Sequence, residues 1–330
     1  MVGIKKENNL EEGSMNKISN KVKFVYFGSS DFSKAIIEGL YQAGYKPSLV
    51  VSRPDMPRGR GLKLRKTEVS LFAESKKIRL IKPQSLKNSN IEEKLSQENP
   101  DFFILADYGK IIPAVILSIP KIMPLCVHPS LLPKYRGSSP IENTLMNGDS
   151  QTGITIFKMN ERIDAGEIIL RKNISVEDSD DFFSLKQKFV KEGIGALIEA
   201  IKKISNKDYV LTAQDEREAT FTFKFKKEDG RISWKRNVKD IRNLTRAILE
   251  WPTAYTYHKN MMIKILEASV VDKDTSEFPG TIIGIGKKGI EVAASNGVLN
   301  IKRLKPQGKK EMSAWAFSCG HKIKAGDKFL

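Results

Sequence analysis

Residues 22–52 constrain the fold more than any other part of this 330-residue chain. VKFVYFG (22–28) is a short apolar run closed by glycine, FSKAIIEGLYQAGY (32–45) carries apolar residues at helical spacing, and PSLVVS (47–52) is a second β-rich run. A strand, a helix and a strand in one compact stretch predict a parallel pair, because the helix carries the chain back to the edge where the first strand began. DFFILADYG (101–109) and KIMPLCVH (121–128) read as further buried strands, and GITIFKM (153–159) has the alternation of another. FFSLKQKFVKEGIGALIEAIKKI (182–204) is a long amphipathic helix with Leu185, Phe189, Ile194, Leu197 and Ile201 on one side, and it closes this α/β region.

The texture then changes. TAQDEREATFTFKFKKEDGR is polar and basic, as a linker is, and VKDIRNLTRAIL (238–249) predicts one helix. From Tyr255 onward short strands alternate with glycine turns, in MMIKILEASV, PGTIIGIG, KKGIEVAAS and GVLNIKRLKP, which predicts a small OB-like β-barrel. The expected organisation is a disordered lead-in over 1–21, with Met15 as an alternative start, an α/β domain over 22–209, a basic linker over 210–226 and a barrel over 227–330. GSSDFS (28–33) sits where a Rossmann-like sheet has its glycine loop, but the GxGxxG spacing is absent, which argues against a dinucleotide. The turn serves either structure alone or a nearby ligand.

The formal net charge is +17, and residues 221–330 hold 22 Lys and Arg against 11 Asp and Glu. IKRLKPQGKK (301–310) has five cations and no anion. Such a concentration suits nucleic-acid binding, with a solvated surface as the plain alternative. Two cysteines, Cys126 and Cys319, are too few for a disulfide framework, so a reducing cytoplasm is expected. The three histidines are far apart and no CxxC or HxxxH occurs, so no metal is expected. No run reaches the ~20 apolar residues of a membrane span, and residues 1–21 have no apolar signal core.

PLCVHPSLLPKYRGSSP (124–140) carries the chemistry. His128 ends an apolar run at what should be the carboxyl edge of a parallel sheet, where ligands gather. A histidine there suits proton transfer near neutral pH, unless it merely ties down the following loop. Asp164, in ERIDAGEII, is the second candidate: a carboxylate that orients the imidazole and stabilises its cation, or else a simple turn former.

CVHPSLLPKYRGSSPI, GDSQTGITI and MNERIDAGEI closely resemble the formyltransferases that use 10-formyltetrahydrofolate. PDMPRGRGLKL (54–64), KFKKEDGRISW (224–234), FPGTI and LKPQGKKEMSA resemble the inserted loop, linker and C-terminal barrel of the members that formylate initiator methionyl-tRNA, so the likeness runs in order over nearly all of 22–330. It implies transfer of a formyl group from that folate to the methionyl α-amine in translation initiation, with folate and initiator tRNA as partners and a monomer as the working form. Carried over by position, His128 and Asp164 are the catalytic pair, and Ser130, Leu131, Leu132 and Pro133 line the folate site. Arg60 meets the tRNA acceptor end, with Arg58 and Lys63 in the same basic loop; Lys309 and Lys310 meet phosphates. The third catalytic position is Cys126, where the family has asparagine, and Asp107 stands where the family has alanine before Tyr-Gly. A thiol donates weakly to a developing oxyanion. Cys126 thus leaves three alternatives open: a poor oxyanion donor, a nucleophile or a packing residue. Other readings of the whole chain are a sugar-nucleotide N-formyltransferase and a tRNA-binding homologue impaired in catalysis.

Overall fold

The computed structural model describes residues 22–58, 63–87 and 89–330. The expected lead-in and Arg60 lie outside the described residues, as does the side chain of Arg58. In chain order the elements are β1 (Phe24–Gly28), α1 (Asp31–Gln42), β2 (Leu49–Val51), β3 (Met56–Arg58), β4 (Lys63–Arg65), α2 (Glu68–Ser75), β5 (Leu80–Ile81), α3 (Ser89–Gln97), β6 (Phe102–Ala106), α4 (Ala114–Leu117), β7 (Met123–His128), β8 (Arg136–Gly137), α5 (Pro140–Asn147), β9 (Gln151–Lys158), β10 (Ile168–Ser175), α6 (Phe182–Ser205), β11 (Phe221–Thr222), α7 (Val238–Ala247), β12 (Tyr255–His258), β13 (Met261–Val271), β14 (Ile282–Gly286), β15 (Gly289–Ala294), β16 (Gly297–Pro306), β17 (Met312–Ser313) and α8 (Ala314–His321).

These elements gather into two compact units. One comprises the described residues up to Ser138 with Gly153–Ile174 and Gln187–Phe221; the other comprises Ser139–Thr152, Ser175–Lys186 and Thr222–Leu330. The segments 139–152 and 175–186, which the sequence groups with the α/β region, join the second unit through α7. Helix α5 packs on α7, Arg242 pairs with Asp178 at 2.8 Å, and Arg246 donates to the Asp180 carbonyl at 3.0 Å.

The first unit is built on a seven-stranded sheet of order β10-β9-β7-β6-β1-β2-β5. Strands β5, β2, β1, β6 and β7 are parallel, and β9 runs antiparallel to β7. All five residues of β1 are buried, as expected of a strand covered on both faces. Ser30 caps α1 by accepting from the Ser33 amide at 3.2 Å. Ile36, Ile37 and Leu40 then face the sheet with no exposure, each contributing about 1.5–3 kcal/mol of burial. The basic stretch after β2 is paired at its base: β3 and β4 form an antiparallel hairpin in which Arg58 faces Lys63.

The second unit carries an antiparallel sheet of order β12-β13-β16-β15-β14, with β17 on β16. The chain's last residues join its two edges. Leu330 exchanges both backbone bonds with Tyr257 at 2.8 and 3.2 Å, Phe329 donates to the Gly280 carbonyl, and Ile282 donates to that of Asp327, both at 2.8 Å. With β12 and β14 so tied, the sheet closes into the expected small barrel and leaves no open edge there. Trp234 stacks on Phe329 and donates to Thr256 at 3.0 Å, which anchors the tail in the core. Gly280 has a φ of +90°, and a Cβ on it would meet the Phe329 carbonyl oxygen at 2.4 Å, so only glycine fits where the tail crosses.

Candidate active site

Strand β7 delivers two chemical groups to one face of the sheet. Side chains alternate along a strand, so Cys126 and His128 point the same way. His128 is the last residue of the strand and is 5% exposed. Its Nε2 lies 2.9 Å from the carbonyl oxygen of Tyr135. A carbonyl can only accept, so Nε2 carries a proton. Its Nδ1 lies 3.6 Å from Oδ2 of Asp164, an electrostatic contact longer than a hydrogen bond. A second proton on the ring would therefore face a carboxylate.

Asp164 occupies the turn between β9 and β10. Its φ of +49° lies in the left-handed region, where non-glycine residues need support from their surroundings. Oδ2 accepts from the Gly137 amide at 2.8 Å, and the backbone carbonyl accepts from Nε2 of Gln214 at 2.9 Å. Gln214 in turn accepts from Arg136, which is 2% exposed and donates through its other edge to Glu216. Arg136 holds the Glu216 carboxyl below the usual carboxylate range. Tyr135 is fixed from the same side: its amide donates to Thr220 Oγ1 at 2.8 Å, and the Arg136 amide donates to the Thr220 carbonyl at 2.8 Å. Tyr135, Arg136, Gly137 and Gln214 were not singled out from the sequence. Their roles run through backbone groups and long-range contacts that leave no motif.

Cys126 is 5% exposed and packs with Leu132, Phe157 and Ile168, with Leu105 and Met159 against them. Burial pushes its thiol well above the ordinary range, and the negative charges of Asp164 and Asp107 push the same way. Such a thiol stays protonated at neutral pH, which disfavours a nucleophilic role. Leu105 pairs with Cys126 across β6 and β7. Asp107, two residues on and exposed, thus leaves β6 at the same edge of the sheet, with a φ of +42°.

The four residues expected to line the folate site form the loop after β7. Ser130 and Leu132 are buried, at 0% and 1% exposure, while Leu131 is half-buried against Gly153. The Ser130 hydroxyl donates to the Lys134 carbonyl, and Thr155 Oγ1 bridges the Ser130 carbonyl and the Leu132 amide. Pro133 is buried, and its carbonyl accepts from the Thr220 amide. Among the described residues no cluster of His, Cys, Asp or Glu could hold a metal.

Of the expected RNA-binding cations, Lys63 is exposed in the first unit. Lys309 and Lys310 are exposed at the turn after β16 in the second. The sequence did not single out Lys264. Its pKa is lowered, first by burial and then by the charges of Lys305 and Lys227, and Lys305 stands opposite it in the pairing of β13 with β16.

The family model described as formyl transferase matches residues 20–201, and that described as formyl transferase, C-terminal domain, matches residues 224–322. The chain is 40% identical over 307 residues to the methionyl-tRNA formyltransferase of Caldicellulosiruptor saccharolyticus, covering 92% of this chain and 98% of that one. It is 35% identical over 308 residues to that of Thermotoga maritima, with 93% and 98% covered. The chain belongs to the methionyl-tRNA formyltransferase family. Two solved structures share the fold of this chain. The N-formyltransferase of Helicobacter canadensis, solved with folinic acid and dTDP-3-aminofucose, matches with a TM-score of 0.65 at 17% identity, over 85% of this chain and 98% of that one. HypX of Aquifex aeolicus in complex with tetrahydrofolic acid matches with a TM-score of 0.61 at 14% identity, over 90% of this chain and 46% of that one. Within the methionyl-tRNA formyltransferase family, His128 and Asp164 lie in the part of the chain matched as the formyl transferase domain, and Lys309 and Lys310 in the part matched as its C-terminal domain.

Proposed function

We propose that this protein transfers the formyl group of 10-formyltetrahydrofolate to the α-amino group of initiator methionyl-tRNA, with His128 and Asp164 handling the protons. The relatives at 32–40% identity over most of the chain support the activity. The observation that carries the residue assignment is the contact of His128 with Asp164, 3.6 Å apart at the carboxyl end of β7.

The folate supplies the formyl carbon, and the chain supplies positioning and protons. The loop Ser130–Pro133 is the folate-facing segment in this reading. With the Ser130 and Leu132 side chains turned into the core, its backbone and the half-buried Leu131 are what it offers a ligand. His128 donates from Nε2, which in this structure meets the Tyr135 carbonyl; that bond opens for the proton to serve the substrates. In this reading the ring reacts as its cation, with Nδ1–H facing and stabilised by Asp164: Nε2 gives its proton to the leaving nitrogen and takes back the one that the attacking amine loses. Cys126 occupies the oxyanion-donor position with a buried, neutral thiol.

Arg60, Arg58, Lys63, Lys309 and Lys310 serve the tRNA in this reading, the lysines through phosphates. The sugar-nucleotide alternative is less supported, because its structural relatives share the fold at 17% identity or less. Among the described residues no helix is long and apolar enough to cross a membrane.

The test is a formyl-transfer assay with methionyl-tRNA and, separately, an amino-sugar nucleotide as acceptor. Transfer to the tRNA alone is expected. His128→Ala and Asp164→Ala should each cut turnover severely with little change in melting temperature; near-parental turnover in either removes that residue's role.

A further inference from the structure

Two side chains hold the turn that carries Asp164: Asn160 Nδ2, from within the turn, donates to the Ala165 carbonyl at 3.3 Å, and Gln214 reaches the carbonyls on either side of it from far along the chain. Gln214 Nε2 donates to the carbonyls of Asp164 at 2.9 Å and Gly166 at 2.7 Å, and so spans the turn. The turn has no slack: a Cβ on Gly166 would lie 1.8 Å from the Lys158 carbonyl oxygen. Gln214 Oε1 accepts from Arg136 Nε at 3.0 Å and Nη2 at 2.9 Å. The amide has one possible orientation, since a guanidinium only donates and a carbonyl only accepts. Arg136 is 2% exposed and is fixed on its other edge by Glu216, at 2.9 and 3.1 Å. Next to it, the Gly137 amide donates to Asp164 Oδ2 at 2.8 Å. The main chain of Asp164 is thus set by Gln214 and its carboxylate by Gly137, and both supports trace to the same buried arginine strand.

We propose that Gln214 is a positioning residue for formyl transfer, acting through Asp164 on His128 and itself oriented by Arg136. The proposal rests on the reading of His128 and Asp164 as the proton-handling pair. An amide is what the place requires: it accepts from the guanidinium on one side and donates twice to carbonyls on the other. A carboxylate of the same size keeps the Arg136 contact, loses both donor bonds and sets negative charge against two carbonyl oxygens. With the turn released, the carboxylate of Asp164 drifts from Nδ1 of His128, and misplacement on the order of 1 Å can cost roughly 10²-fold in rate.

The experiment compares Gln214→Glu, Gln214→Met, Asp164→Asn and the double variant Gln214→Glu/Asp164→Asn in the full-length protein, with methionyl-tRNA and 10-formyltetrahydrofolate. Gln214→Met keeps length without adding charge and serves if the carboxylate variant does not fold. The expected result is a kcat about 10²-fold lower in either Gln214 variant, with KM for both substrates little changed and a lower melting temperature from the two lost donor bonds. The limb of the kcat–pH profile that belongs to the His128–Asp164 pair should also move. Gln214→Glu should cost little more once Asp164 is already Asn, because residues that act as one unit are not additive. Parental kcat in both Gln214 variants, beside a severe loss in Asp164→Asn, overturns the positioning role and leaves the Asp164 reading intact. Parental kcat in all of them removes the Asp164 reading as well. Losses that multiply in the double variant mean that Gln214 acts independently of Asp164, which also overturns the proposal.

Discussion

Replacing Cys126 with asparagine sets two calculable effects against each other. The position is 5% exposed, among Leu132, Phe157 and Ile168. An amide placed there loses its water, and any donor or acceptor left unmet costs about 1–3 kcal/mol. For a domain of 150–250 residues, that lowers Tm by roughly 2–12 °C. The catalytic effect has the opposite sign. In the proposed mechanism the position faces the developing oxyanion, where a thiol is a poor donor. One good donor at such a site contributes about 10²–10³ in turnover. Asp164 and Asp107, whose charges act on the thiol, supply acceptors that the amide could meet in the resting state. That would reduce the stability cost without removing the donor. Cys126→Asn should therefore turn over faster and melt lower.

The assay is single-turnover formyl transfer at saturating folate and tRNA, with melting followed in parallel. Cys126→Ser should fall between the parent and Cys126→Asn, because a hydroxyl donates better than a thiol but reaches less far than an amide. Cys126→Ala should match the parent, since a thiol held protonated by burial does no covalent chemistry. A lower melting temperature with no gain in the chemical step would refute the reasoning: another group would then be the oxyanion donor, and Cys126 would be a packing residue.

Cys319 is exposed and Cys126 is not, so iodoacetamide at pH 8 should label Cys319 alone in the native protein; mass spectrometry after digestion reads the result. Lys309→Ala/Lys310→Ala should weaken tRNA binding and lower the slope of log K against log salt by roughly 2, about one for each phosphate that the lysines no longer neutralise, with folate binding unchanged. Removing Phe329 and Leu330 deletes the bonds that join Tyr257 and Gly280 through the tail and the stack on Trp234. The melting temperature should fall and Trp234 fluorescence should shift. Glu216 is held below its usual range by Arg136. The stability it contributes is present above the unfolded carboxylate pKa and is lost as pH falls through the lowered folded value, so Glu216→Gln should flatten the acid limb of a melting-temperature–pH profile.

The strands and helices were legible where burial repeats along the chain. The runs at 22–28, 101–109 and 121–128 contain β1, β6 and β7, because strands covered on both faces need continuous apolar residues. The helix read over 182–204 is α6, and the short strands after Tyr255 form the barrel. His128 and Asp164 could be matched because each stands in a short contiguous motif. What the sequence obscured is the segment from Thr212 to Thr222, polar enough to pass for a linker. Its partners lie far away in sequence: Gln214 reaches carbonyls 48 and 50 residues upstream, Glu216 an arginine 80 upstream, and Thr220 an amide 85 upstream. Most of these bonds end on backbone groups, which every residue possesses, so nothing in the partner's identity marks the pairing. A polar segment is solvated only if water is its best partner. Here a buried guanidinium and the carbonyls of a strained turn compete with water, and the segment is ordered across the rim of the site. That competition limits what can be exchanged there: a polar residue that looks replaceable by composition, such as Gln214, has a donor and acceptor pattern that no other residue of its length supplies.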